Sequence, residues 1–249
     1  MNFLTTVKDS LLEGFYPKGW DMQKIDECCD KGVAREAFWN DNFNPIECEN
    51  IYEFDTLMGH EIISPEELRE IRANEAKSAG ALAGIEVVTL DIGDLLPNGC
   101  STEQRDMVVE LIKNVQPDFI ITHSPTDYMP DHREVSKLVF DASFAASVPH
   151  YGAQGKAAVV PIYYMDNLAG MNFNPTEYVD ISDEIELKIN MLECHESQLK
   201  WMRDHDKIDF AEFVRTCSRF RGIQCGVQYA EAFCQELVWP KVMPKRLLP

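Results

Sequence analysis

The chain has 249 residues, of which 45% are hydrophobic and 26% charged, the balance of a folded globular protein with a sizeable core. Lys and Arg number 23 against 42 Asp and Glu, a formal net charge of −19. That acidity excludes a duplex nucleic acid as partner, since such binding needs clustered cations to displace counterions.

No apolar run approaches the roughly 18–20 residues that span a bilayer, and Met1–Asp9 lacks a signal-like apolar core. Eight cysteines fall in no C-x-x-C pair, so they read as free thiols of a cytoplasmic protein with no membrane partner. Residues 1–62 scatter aromatics (Phe15, Tyr16, Trp20, Phe38, Trp39, Phe43, Phe54) among Gly, Pro and Asn. Short helices are expected at 4–13, 21–31 and 51–62, and no strand pattern stands out there. Ser64-Pro65-Glu66-Glu67 then combines an N-cap, a first-turn proline and a capping-box acid. It opens a helix of about 20 residues that stops at Gly84.

An α/β alternation follows. Ile85–Leu90 reads as a strand, and Thr102–Val115 as a helix with Met107, Val108, Leu111 and Ile112 on its apolar face. Phe119–Thr122 is a second strand, Arg133–Ala146 a helix, and Val159–Met165 a third strand whose Pro161 suits an edge. Helices at 183–203 and 209–221 close the chain. Strands separated by helices indicate a parallel sheet covered on its faces. The expected organisation is an irregular or helical segment, 1–63, before one α/β domain, 64–249.

In such sheets ligands sit at the carboxyl ends of strands. Phe119–Thr122 empties into His123-Ser-Pro-Thr-Asp127-Tyr-Met129-Pro-Asp131-His132, which places two histidines and two aspartates within ten residues. Imidazole and carboxylate are the ligands of a catalytic zinc, and an Asp beside a ligating His can orient it. The same residues also suit a polar helix entrance, with Asp131 as a cap.

The stretch Q-P-D-F-I-I-T-H-S-P-T-D-Y-M-P-D-H-R resembles the second signature of the LmbE-like, or PIG-L-type, N-deacetylases. Arg72-Ala-Asn-Glu75 with Ala76, Ala79 and Gly84 is similar to that family's R-x-x-E helix. H-E-S-Q (195–198) and R-F-R-G-I-Q-C-G-V-Q-Y-A-E-A-F (219–233) resemble its closing region, so the likeness runs over about 64–240. The resemblance implies a Rossmann-like three-layer parallel sheet with helices on both faces. It implies zinc-dependent removal of an N-acetyl group from an amino sugar or its conjugate. By matched position, His132 would bind the metal and Asp131 would pair with an imidazole. Arg72 and His195 would contact the substrate, a small N-acetylated sugar.

Two departures stand against the pattern. Met129 occupies the place of a family histidine assigned to the oxyanion, and a thioether cannot donate a hydrogen bond. Losing such a donor typically costs about 2.7–4 kcal/mol of transition-state stabilisation. The family's opening A-H-P-D-D-E, which supplies two zinc ligands and a base, has no counterpart; His60-Glu61 is the only His–acid pair ahead of residue 64. Residues 15–62 instead resemble the leading segment of glucosamine-6-phosphate isomerase/deaminase-like proteins, as if the first strand were replaced. The alternative expectation is therefore an inactive scaffold that binds a sugar or a protein. A sheet short of an inner strand would expose apolar edges, which predicts self-association.

Overall fold

The structure is a computed structural model that describes residues 37–39, 45–47, 65–152, 156–204, 206–242 and 247–248. The backbone divides into two compact units, Met1–Ile71 and Arg72–Pro249. In the first, β1 (Ala37–Trp39) pairs antiparallel with β2 (Pro45–Glu47), two short strands that sequence patterning did not suggest. The helices expected at 4–13, 21–31 and 51–62 lie outside the described residues, as do Ser64 and His60-Glu61.

Helix α1 (Pro65–Ala83) starts on the first-turn proline. It ends where Gly84 takes φ +67° and Ile85 N–H returns to the Gly80 carbonyl, a left-handed stop that glycine adopts without steric cost. Residues 85–90 are not a strand. Ile85 and Val88 are more than half exposed, and no described strand lies alongside to pair with them. An apolar, β-branched run needs a partner before it becomes a strand.

Helix α2 (Thr102–Val115) has the expected bounds, with Ser101 Oγ accepting from Gln104 N–H as its cap. The strand expected at 119–122 is β3 (Ile120–His123), and α3 (Pro130–Ala146) starts three residues before the expected point, on a proline. Then come β4 (Ile162–Met165), β5 (Glu177–Asp180), α4 (Ile185–Glu193), α5 (Glu196–Asp204), α6 (Phe210–Cys225) and β6 (Ala230–Gln235).

The sheet order is β3-β4-β6-β5. Only β3 and β4 run parallel; β6 is antiparallel to both β4 and β5. The α/β class holds, but the sheet is mixed rather than parallel, because β6 and β5 were absent from the sequence reading. β6 (A-E-A-F-C-Q) has few strand-favouring side chains and is held as a strand by ladders on both of its sides. Pro161 precedes β4, where it costs no ladder donor, and β4 is an inner strand rather than an edge.

Side chains alternate across the sheet. Ile162 and Tyr164 pack with Phe173 and Ala232 on one side, while Tyr163 packs with Phe233 and Leu248 on the other. The α2/α3 layer is closed by Val108, Val109 and Ile112 against Leu138, Ala142 and Ala146. Met107 and Leu111 are only partly buried, because that apolar face is rotated toward Val109. No described helix is long and apolar enough to cross a membrane.

Candidate functional site

The loop between β3 and α3 folds on its own polar side chains. Asp127 N–H donates to the Ser124 carbonyl, and Asp127 Oδ1 accepts from Met129 N–H at 2.9 Å. Arg133 Nη1 donates to the carbonyls of Asp127 and Tyr128, pinning the loop from the first turn of α3. The Asp127 side chain is 1% exposed, and its Oδ2 lies 2.8 Å from His132 Nδ1. The carboxylate accepts, so Nδ1 carries the proton and Nε2 is left free.

His123, at the end of β3, stacks on His132 with ring centroids 3.7 Å apart and planes 12° from parallel. Burial, and secondly the neighbouring His132, push the His123 imidazole down to about pKa 4, with the Asp127 carboxylate opposing. A half-buried histidine held neutral keeps a ring nitrogen for a cation. One ligand atom from each of His123, Asp127 and His132 lies within 4.8 Å of the others. Two imidazoles and a carboxylate are the donor types of a catalytic zinc with an open position. The chain's residues therefore fit such a metal by chemistry and proximity. Asp127 holds His132 through one oxygen and retains further lone pairs toward a cation.

His123 and His132 open into a cavity of about 1030 Å³, which His195 also lines. Its walls include Met165, Leu168, Phe210 and Phe233. Its charged lining residues are paired: Lys188 Nζ lies 2.7 Å from Glu231 Oε1, and Arg221 Nε 2.5 Å from Asp166 Oδ2.

The predicted residues divide between this cavity and its surroundings. His132 and His195 line it; Asp131 and Arg72 do not. The carboxylate beside the His132 imidazole is Asp127 rather than Asp131, whose Oδ2 accepts from Leu95 N–H at 2.8 Å. Arg72 Nη1 lies 3.5 Å from Asp94 Oδ2. With its amide oxygen turned inward, Gln198 accepts from Arg72 Nη2 at 2.5 Å and Nε at 3.1 Å. Met129 is 39% exposed, at the entrance of α3 and off the cavity wall. Sequence reasoning grouped His123 and Asp127 with the site loop but gave neither a role of its own. The clue was available: His123 ends a strand, and Asp127 lies five residues before His132.

The PIG-L family (GlcNAc-PI de-N-acetylase) matches residues 48–143. The diacetylchitobiose deacetylase of Thermococcus kodakarensis is 28% identical over 183 residues, 68% of this chain and 64% of that protein. The chain thus spans less than two thirds of that relative's length. The N,N′-diacetylchitobiose deacetylase structure from Pyrococcus horikoshii superposes with TM-score 0.59 and 26% identity, covering 71% of this chain and 67% of that one. The 4-carboxy-2-hydroxymuconate hydratase structure from Pseudomonas putida superposes with TM-score 0.62 and 22% identity, covering 74% and 78%, a likeness of fold alone. The resemblance to PIG-L-type deacetylases and the α/β fold it implies are borne out.

Proposed function

Because residues 48–143 are PIG-L-type sequence, we propose that this chain is a metal-dependent hydrolase that removes the N-acetyl group of an amino sugar or its conjugate. The observation that carries the reading is the His123–Asp127–His132 group at the mouth of the cavity. His123 and His132 would hold zinc, and Asp127 orients His132 by fixing its Nδ1 proton. Bound zinc would supply an acidified water and polarise the amide carbonyl. The cavity's apolar walls would exclude bulk water around the scissile amide, and His195 would contact the sugar.

The charge pattern supports this reading over hydratase chemistry on the same fold. Each cation on the cavity wall already faces a carboxylate, Lys188 with Glu231 and Arg221 with Asp166. A carboxylated substrate would have to break those pairs and desolvate its own charge. A neutral polyhydroxyl ligand can hydrogen-bond to both members of each pair. The second reading, an inactive scaffold that binds a sugar or a protein, is favoured by the two departures: no H-P-D-D sequence occurs in the chain, and Met129 stands where a histidine is expected.

Metal content after zinc reconstitution and desalting tests the proposal. The expected result is about one zinc per chain, lost in His132→Ala and His123→Ala, with affinity weakened about 10- to 100-fold in Asp127→Asn. Zinc-loaded protein should release acetate from N,N′-diacetylchitobiose, and a chelator should abolish the release. Zinc without turnover supports the scaffold reading. Zinc unaffected by both histidine variants places the metal elsewhere and overturns the site.

A further inference from the structure

The R-x-x-E pair of α1 reaches across the fold to a segment far away in sequence. Both oxygens of the Glu75 carboxylate are engaged by Ser197: Oε1 accepts from its backbone N–H and Oε2 from its Oγ–H, each at 2.8 Å and part-buried. One helical turn earlier, Arg72 faces the Gln198 amide oxygen, as side chains three apart on a helix must. His195, which lines the cavity, lies two and three residues before these anchored side chains. Its carbonyl accepts from the N–H groups of Gln198 and Leu199, so it is the residue from which α5 springs. The early N–H groups of a helix have no partner within that helix, and a carboxylate placed there satisfies one and interacts favourably with the dipole. Ser197 N–H is such a donor, and Glu75 supplies the acceptor from another element.

We infer that Glu75 is a positioning residue: by clamping Ser197 it fixes the start of α5 and holds the His195 imidazole in the cavity wall. This explains why the expected helix over 183–203 is two helices, α4 and α5, separated at Cys194–His195. A continuous helix would direct the Ser197 N–H to the Glu193 carbonyl, out of reach of Glu75. The break turns residue 195 out of the helical path and commits it to the cavity. The inference rests on the reading of His195 as a substrate contact, but its geometry stands without a metal.

The test uses the full chain with 13C-labelled histidine, the His195 ring signal being identified by its loss in His195→Gln. Glu75→Ala is expected to move that signal toward the position of a solvent-exposed histidine and to abolish its response to added N,N′-diacetylchitobiose. The His123 and His132 signals and the zinc content should stay as in the parent chain. Glu75→Gln, which can still accept from Ser197, should restore the His195 signal. In turnover, Glu75→Ala should lose about tenfold in kcat/KM, through KM rather than kcat, the worth of one hydrogen bond to a charged group. Should Glu75→Ala fail to fold, Ser197→Ala removes one of the two contacts and is expected to shift His195 part of the way. A His195 signal unmoved in both variants overturns the inference. Zinc binding and turnover with an unmoved His195 defeat this inference alone. Absence of zinc and turnover with a displaced His195 defeats only the hydrolase reading.

Discussion

His123 and His132 lie face to face at 3.7 Å, and protonating both would put two cations in contact at a half-buried site. Burial is the larger cause of the low His123 pKa, with His132 second. The unfolded chain binds this proton near pH 6.5 and the fold only near 4, so between those values the unfolded state holds more protons. Stability therefore rises with pH across that window, is fully present above about 6.5, and is lost as pH falls toward 4. His123→Asn should flatten the dependence of the denaturation midpoint between pH 6.5 and 4.5; an unchanged slope would contradict the assignment. The sequence displayed the imidazoles and carboxylates of this loop, and His132, expected there as a metal ligand, lines the cavity. The matched motif pointed to Asp131 as the imidazole's partner, whereas Asp127 holds His132, since both aspartates lie within reach along the chain. Local folding decides it: Asp127 is turned inward by its own side-chain bond to Met129 N–H, and Asp131 outward to Leu95.

Among the elements, α2 and α3 were legible because their apolar periodicity and end signals agree with their packing. β5 and β6 were not, since short strands with Ala, Glu and Asp take their conformation from the ladders they join, β6 between β4 and β5 and β5 along β6 alone. The approach of α6 to β6 shows what those ladders demand of the sequence. Gly222 is buried in α6, and a Cβ there would sit 2.7 Å from the Gln228 carbonyl oxygen and 2.8 Å from that of Val227. Both are backbone atoms in the turn that leads into β6, so neither can yield cheaply. Gly222→Ala should therefore destabilise the chain by about 1–3 kcal/mol, the usual cost of overpacking. Equilibrium unfolding in urea measures it, and a variant as stable as the parent would show that the turn yields freely. The neighbouring Arg219 donates to the Val227 and Gln228 carbonyls, while Arg221 is held by Asp166 at the cavity wall.

For the whole molecule, a net charge of −19 is a source of self-repulsion that the fold must overcome. Raising NaCl from about 10 mM to about 300 mM shortens the Debye length from roughly 30 Å to less than 10 Å. The Tm should rise by several degrees over that range; a flat or falling Tm would mean that attractive pairs such as Arg215–Glu186 and Lys188–Glu231 dominate instead. The sequence by itself determined the class of the fold, the helices with strong periodicity, and the family likeness carried by its Asp and His motifs. These are written in local patterns, which neighbouring residues enforce without help from the rest of the chain. The tertiary structure alone decided that β5 and β6 exist and that 85–90 stays irregular, the strand directions, which aspartate holds His132, and where the last helices break. Each depends on a partner distant in sequence, as Glu75 and Ser197 are, and a hydrogen bond spanning that distance leaves no periodic trace in either segment.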